Sequence, residues 1–398
     1  MARYPRVRVG TWLDNAEILH FLKAIPTTTA EVVFRFERSP DYFRYLRYQS
    51  EKPFVFKFLN DDGSLGGVAS LCLKTCFFKG RPTPMVYLSD VRMSAKLSRR
   101  TRLQWRSWYA DIIRHAHEIV DFNNPELLFT LVMDGNESTL RAFARGKSDV
   151  IYESLASYQT VNILGHKPWV RRKSTDWTVR PARAEDLPSL RKFLNAQNVS
   201  KPMGHLFTLD SWAHDGLPVD ELQRRMNTWD DFGLHSFYLA EDTAGKLVGC
   251  VAPWSFDRGR RLVVENIPRH LRWLGASLGL IGRTSISNGK PLRVLNLTHL
   301  EVDQDQALKT RQSIFAALLD HIWKQPETKK FHILSLADFD GETLLPALEG
   351  YLIHKLRRRF TVLRIGICRP CVMRSIYEVG HLPSRLRFHE DQESTYEH

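Results

Sequence analysis

The chain runs an apolar strand straight through a short basic loop into an amphipathic helix, and it does so twice. Met85–Met93 reads as an extended, mostly apolar strand, and Ser94–Arg102 follows as a polar, basic loop. Trp105, Trp108, Tyr109, Ile112, Ile113, Ala116, Ile119 and Val120 then recur at three- and four-residue steps, the apolar stripe of one helix. A helix start leaves backbone N–H groups unpaired, and its dipole favours negative charge, so a strand delivering a basic loop there makes a natural anion seat. Leu292–Val302, the polar stretch Asp303–Lys309, and Ile314, Phe315, Leu318, Leu319, Ile322 and Trp323 repeat the arrangement. Two copies of one α/β unit are expected.

A chain of 398 residues suits two such units better than one ordinary domain. Leu274–Gly282 is too short to span a bilayer and is flanked by Arg272 and Arg283, so no membrane segment is expected. No opening stretch reads as a signal peptide, and five thinly scattered cysteines suit a reducing compartment, which together predict a cytoplasmic protein. Cys368-Arg369-Pro370-Cys371 is a lone CxxC with no second ligand pair at zinc spacing, so no metal is expected. The net charge of +13 suits an anionic partner, whether a nucleotide cofactor, nucleic acid or an anionic surface.

In the first unit, Arg6–Val9 reads as a strand, Asp14–Ile25 as a helix and Val32–Phe36 as extended. Asp41–Tyr48 reads as a helix capped by Ser39 with Pro40 at its first position. Phe54–Leu59 and Gly67–Phe78 form a hairpin around Asn60-Asp61-Asp62-Gly63. Beyond the central strand and helix come a strand at Leu127–Met133, a helix through Leu140, Ala142 and Phe143, and closing strand material at Val150–Leu164. Lys167–Asp176, basic and without apolar period, reads as a linker. The expected domains are therefore 1–166 and 177–380, with a linker at 167–176 and a polar tail at 381–398.

The second unit reads as a strand at Trp177–Pro181, helices from Ala184 and within Trp212–Trp229, and a hairpin of Phe237–Glu241 with Leu247–Trp254. After the repeated core come a strand at Phe331–Leu336, a helix at Thr343–Leu352 and a strand at Phe360–Ile367. Matching Gly63-Ser64-Leu65 to Gly245-Lys246-Leu247, and Val91 to Val302, leaves an insertion in the second copy near 257–289. Pro268–Ile281 within it reads as a helix, either a lid or a patch on the domain interface.

This order of elements, in both copies, resembles the GNAT superfamily of acyl-CoA-dependent N-acyltransferases. Trp177–Pro188 resembles the usual opening of such a domain, Gly245-Lys246-Leu247-Val248-Gly249 its hairpin, and Asp90–Ser94 and Leu300–Asp303 the end of its central strand. The resemblance covers nearly the whole chain and implies an α/β fold with a mixed sheet, built as two tandem GNAT-like domains.

In that family the central strand parts from the next one, leaving backbone groups that pantetheine meets like an added strand. The resemblance places Val91 and Met93 there. The following loop normally carries Arg/Gln-x-x-Gly-x-Gly/Ala around the CoA diphosphate. Here Ser98-Arg99-Arg100-Thr101-Arg102-Leu103 lacks the glycines, and its arginines offer charge-assisted contacts instead. In the second copy Gln304–Lys309 has neither glycine nor arginine and carries an acid, so the first copy is the expected cofactor half. Asn136 stands where the family contacts the cofactor from the next strand, with Thr139 and Phe143 after it. Phe143 replaces the family's thiolate-protonating Tyr, so acid catalysis from that position is excluded.

The implied reaction is attack of an amine on a thioester within one ternary complex. It needs a proton acceptor and a donor for the oxyanion. Asp90 and Glu301, near the ends of the two central strands, are the candidate catalytic carboxylates, with His299 as a third candidate; ordinary surface charges are the alternative. The cofactor is expected to be acetyl-CoA or another acyl-CoA, and the acceptor an amine whose identity the sequence leaves open. A degenerate binding or scaffold protein and a basic nucleic-acid-binding protein are the competing readings, the last without a recognition helix or zinc module.

Overall fold

In the computed structural model, residues 3–25, 27–28, 33–50, 52–119, 122, 124–133, 150–167, 169–170, 177–201, 203–207, 220–266, 286–339, 344–355 and 360–367 are described. Asn136, Thr139, Phe143, Pro268–Ile281, Cys368, Cys371 and the tail from residue 381 lie outside them, as does most of the linker.

The first half contains β1 (Val7–Gly10), α1 (Asn15–Lys23), β2 (Thr27–Thr28), β3 (Val33–Glu37), α2 (Tyr42–Gln49), β4 (Pro53–Leu59), β5 (Leu65–Phe78), β6 (Arg81–Met93), α3 (Arg99–Arg114), β7 (Leu127–Met133) and β8 (Val150–His166). The second half contains β9 (Thr178–Pro181), α4 (Leu187–Asn198), β10 (Gly204–His205), α5 (Glu221–Thr228), β11 (Tyr238–Glu241), β12 (Leu247–Trp254), β13 (Arg261–Asn266), β14 (Pro291–Leu292), β15 (Val294–Val302), α6 (Leu308–Lys324), β16 (Ile333–Phe339), β17 (Tyr351–Lys355) and β18 (Phe360–Ile367).

One mixed sheet crosses the molecule in the order β1-β4-β5-β6-β7-β18-β8-β16-β15-β12-β11-β9. The halves read toward its centre from opposite ends, so the duplication is visible as near-twofold symmetry. α3 packs Trp108 and Ile113 onto Val86, Leu88 and Leu128 on one face of the first half. α1 and α2 cover the other face through Ile18, Phe21 and Leu46. The second half matches, with α6 on one face and α4 and α5 on the opposite one. Near-continuous burial along β5 follows from cover on both faces.

The centre of the sheet is a reciprocal exchange. β18, at the end of the second half, inserts between β7 and β8 of the first. The far part of β8 lies between β16 and β17 of the second. Each half therefore closes its sheet with a strand from the other. β13 from the insertion pairs with β3 in a smaller sheet, and β10 adds to the edge of β5, so the two halves are also joined around this exchange.

Three expectations are corrected. Thr343–Leu352 is not a helix: a single turn at Leu345–Leu348 gives way to β17. Pro346 fits only a first helical turn, Gly350 weakens the rest, and the open edge of β8 offers a full ladder instead. α2 is capped by Asp41, whose side chain accepts from Phe43 N at 2.8 Å, rather than by Ser39. The repeat is also offset by two residues from the sequence match. Gly67 pairs with Met93 and Gly249 with Val302, so Met93, not Val91, is the counterpart of Val302. Both glycines make room for close packing: a Cβ on Gly67 would meet Met93 Sδ at 2.5 Å, and one on Gly249 would meet Ile314 Cγ2 at 2.7 Å.

Candidate functional site

The parallel ladder between β6 and β7 runs from Met85–Leu127 to Leu88–Thr130 and stops there. Thr130 Oγ1 donates to Leu88 O at 2.8 Å and closes it. Beyond that point β6 continues to Met93 against β5 alone, while β7 turns its far end to β18. Ser89–Met93 therefore presents an edge of backbone groups with no β7 partner. Asp90 lies in the bulge on this stretch, with φ of 55°. Bulges bend a strand and re-aim its edge, which is the local cause of the parting.

The second half repeats the device. The β15–β16 ladder ends at Asn296–Ser335, and the bulge residue is His299, with φ of 50°. A cleft of about 230 Å³ opens there between Asn296, Leu297 and Thr298 on one side and Ser335, Leu336 and Ala337 on the other, with Thr160 of β8 at its end.

In each half an arginine holds the bulge. Arg38 Nη1 lies 2.7 Å from Asp90 Oδ2, with side chains only 4% and 7% exposed, and the Tyr42 hydroxyl donates to the same oxygen at 2.8 Å. Arg225 donates to His299 Nε2 and to His205 Nδ1, both at 2.9 Å, and rests over Phe207 and Trp229. Arginine only donates, so these two ring nitrogens accept, and His299 carries its proton on Nδ1, facing Thr298 Oγ1 at 2.9 Å. Burial, then the charge of Arg225, holds both imidazoles well below their ordinary pKa, hence neutral. Burial would raise Glu221, but Arg225 and Arg224 pull it down to about 2.

The residues named from the sequence divide between these places. Val91 and Met93 lie on the parted edge of β6, Val91 with its side chain largely open. Ser98 caps α3 by accepting from Thr101 N at 3.2 Å, and Thr101 is fully buried, donating to Leu59 O at 2.6 Å. Both are committed to holding the loop. Arg99 and Arg100 are exposed at the start of α3, and among the described residues neither forms a hydrogen bond or ion pair. Arg102, also exposed, reaches Leu97 O at 3.4 Å.

Glu301 is not the counterpart of Asp90. It takes the place of Arg92 and is buried against Asn198 Nδ2 at 2.9 Å and Lys201 Nζ at 2.5 Å. The second-half loop shifts in the same way. Ala307 stands where Ser98 does and offers no side-chain cap, so the counterpart of Ser98–Leu103 is Ala307–Gln312, which includes Lys309 and Arg311. This half is less depleted of cations than Gln304–Lys309 suggested. With no capping residue at Ala307, the sequence carried no signal for this register.

Sequence reasoning missed Arg38, Arg225, Arg260 and Asp257. Asp257, on the turn after β12, is pushed up to about 6 by burial, against weaker opposing pulls from Ser255, Arg293 and Arg261. Among the described residues there is no group of three potential metal ligands, and no helix is long and apolar enough to cross a membrane.

The central strand parts from its parallel neighbour in both halves, and the chain has the GNAT fold in two tandem halves, as do the solved structures it resembles. The yeast Saccharomyces cerevisiae N-myristoyltransferase with bound myristoyl-CoA superposes with a TM-score of 0.52 at 10% identity, covering 90% of this chain and 82% of that one. A GCN5-related N-acetyltransferase from Sphaerobacter thermophilus gives 0.51 at 11% identity, covering 90% and 94%. The GCN5-related glucosamine N-acetyltransferase region of a fungal multi-domain β-N-acetylglucosaminidase gives 0.55 at 9% identity, covering 90% of this chain and 38% of that one. No protein-family model and no curated protein sequence matches the chain, so the likeness is one of fold.

Proposed function

We propose that this protein is an acyl-CoA-dependent N-acyltransferase, with the cofactor seated in the first half and acetyl-CoA the simplest donor. The observation that carries the reading is the bulged edge Ser89–Met93, parted from β7 and leading directly to a helix start whose Arg99 and Arg100 have no partner among the described residues. Such an edge can take pantetheine as an added strand, and Arg99 and Arg100 can neutralise the diphosphate. The solved relative with bound myristoyl-CoA supports acyl-CoA as the ligand class.

In this reading the acceptor's neutral nitrogen attacks the thioester carbonyl carbon. The C–N bond forms, the C–S bond breaks, and the thiolate leaves as the thiol after taking a proton. A backbone N–H beside the Asp90 bulge, near Val91, donates to the oxyanion. The amine's surplus proton passes to water. Asp90 and Glu301, tied to Arg38 and Lys201, act by fixing the strands that carry the site.

One observation favours the second half as the cofactor seat: the cleft of about 230 Å³ at its parted strands, next to a helix start without a side-chain cap and bearing Lys309. A thermal-shift titration separates the cases. Acetyl-CoA should raise the melting temperature, since a native-state ligand must, and Arg99→Ala/Arg100→Ala should remove the shift. A shift lost instead in Lys309→Ala moves the cofactor to the second half. No shift at millimolar acyl-CoA leaves a scaffold with this fold, and salt-sensitive binding of arbitrary duplex favours the nucleic-acid reading.

A further inference from the structure

Beside the first bulge, on the sheet face covered by α1 and α2, two guanidinium groups hold one carboxylate and a third lies near the second of them. Asp90 takes Arg38 at 2.7 Å and has Arg92 Nε at 3.7 Å. The third group, Arg260, comes from the other half, on the turn between β12 and β13. Its Nε is shut off from solvent, and among the described residues the guanidinium has neither a hydrogen-bond acceptor nor an ion pair. Aromatic rings hold it instead: Tyr45 at 4.3 Å, and Phe36 and Phe256 at 4.9 Å each. Arg92 shares the Phe36 ring at 5.5 Å. The charge of Arg260 also opposes, weakly, the rise that burial gives the phenols of Tyr87 and Tyr158.

This is an unusual way to hold a cation. Ring faces attract the charge but leave the planar fork of N–H donors unfilled. Nε is sealed by packing, but Arg260 as a whole is only partly buried, so its Nη end is the part that an arriving acceptor can reach. With rings against the guanidinium and Nε sealed, the end formed by Nη1 and Nη2 remains for recognition, and a planar carboxylate meets that end with two parallel N–H···O bonds. The CoA phosphates have their own cations in Arg99 and Arg100, on the helix that packs against the opposite face.

We propose that Arg260, with Arg92 beside it, receives the carboxylate of the acceptor, which is therefore an amine that also bears a carboxylate, such as an amino acid or a short peptide. The word acceptor rests on the acyltransferase reading; the carboxylate site does not. The test uses the full chain, calorimetry and melting temperature, with amino acids and dipeptides each compared with its C-terminal amide, and inorganic phosphate as a further probe.

At least one acid should bind roughly tenfold or more tightly than its amide. Arg260→Met, which keeps an unbranched stem among the rings, should abolish that preference while leaving the acetyl-CoA shift intact. If Arg260→Met does not fold, Arg260→Lys decides, because a lysine cannot offer the fork and should lose most of the preference. Equal binding of acids and amides, a preference surviving either substitution, phosphate binding as tightly as the best acid, or no binding of any acid overturns the proposal. Arg260-dependent acid binding without any acetyl-CoA shift would remove the acyltransferase reading and leave the carboxylate site standing.

Discussion

The buried pair Arg38–Asp90 gives the most direct test of how the first bulge is maintained. Its partners lie 2.7 Å apart with side chains 4% and 7% exposed. Asp90→Asn keeps a side chain that tolerates positive φ and still accepts from Tyr42, so it removes little besides the charge. Arg38 is then left buried with its countercharge gone, at a cost of about 3–5 kcal/mol. Arg38→Met should cost a similar amount, plus about 1 kcal/mol for its contacts over Tyr42 and Tyr45 at 5.0 and 4.9 Å. The double variant removes both members of the most buried pair and takes from the partly exposed Arg92 only its contact at 3.7 Å, so it should recover much of the loss, giving a coupling of about 2–4 kcal/mol. Urea unfolding at pH 7, followed by tryptophan fluorescence, measures all four corners of the cycle. Single losses under 1 kcal/mol, or losses that simply add, would refute the reasoning. Activity discriminates as well. If Asp90 holds the bulge, the double variant regains transfer along with stability; if Asp90 takes the proton, stability returns and transfer does not.

Other outcomes follow from the same physics. Asp257 is raised to about 6, so the folded chain holds a proton that the unfolded chain has released, and its contribution falls as pH rises from about 4 to 6. Asp257→Asn should therefore be more stable than the parent above pH 6, by roughly 1–2 kcal/mol after solvent screening, with the gap closing at pH 4. His205 and His299 act in the opposite sense: their folded pKa values are depressed, so stability present above about pH 6.5 is lost on acidification, by up to about 1.4 kcal/mol per pH unit for each. A pH series of melting temperatures checks both. A chain ended after Lys355 lacks β18 and should lose the first half's fold as well, seen as lost protection of β7 amides in hydrogen exchange; independent halves would keep it. Gly249→Ala forces a methyl to 2.7 Å from Ile314 and should cost about 1–3 kcal/mol in urea.

Much of this was legible in the residues. The duplicated strand, loop and helix, the hairpins and the α/β class follow from apolar periodicity and turn chemistry, which are local properties. The family resemblance, rather than any local signal, put Val91 and Met93 at the end of the central strand, and both lie on the stretch of β6 beyond its ladder with β7. The bulges were not legible, because one extra strand residue has no composition signature; they are alike in both halves and leave the repeat in step, so the slip of two came from matching Val91 rather than Met93 to Val302. That slip paired Asp90 with Glu301, whereas the fold pairs Asp90 with His299.

The sequence by itself determined that the chain builds one unit twice, because hydrophobic period and capping act over a few residues. The tertiary structure alone decided which half completes which sheet, since β8 and β18 have the same strand pattern wherever they pair. It also brought Arg38, Arg92 and Arg260 to one place from three distant segments. Charges so far apart in the chain acquire a shared field only when packing removes the water between them.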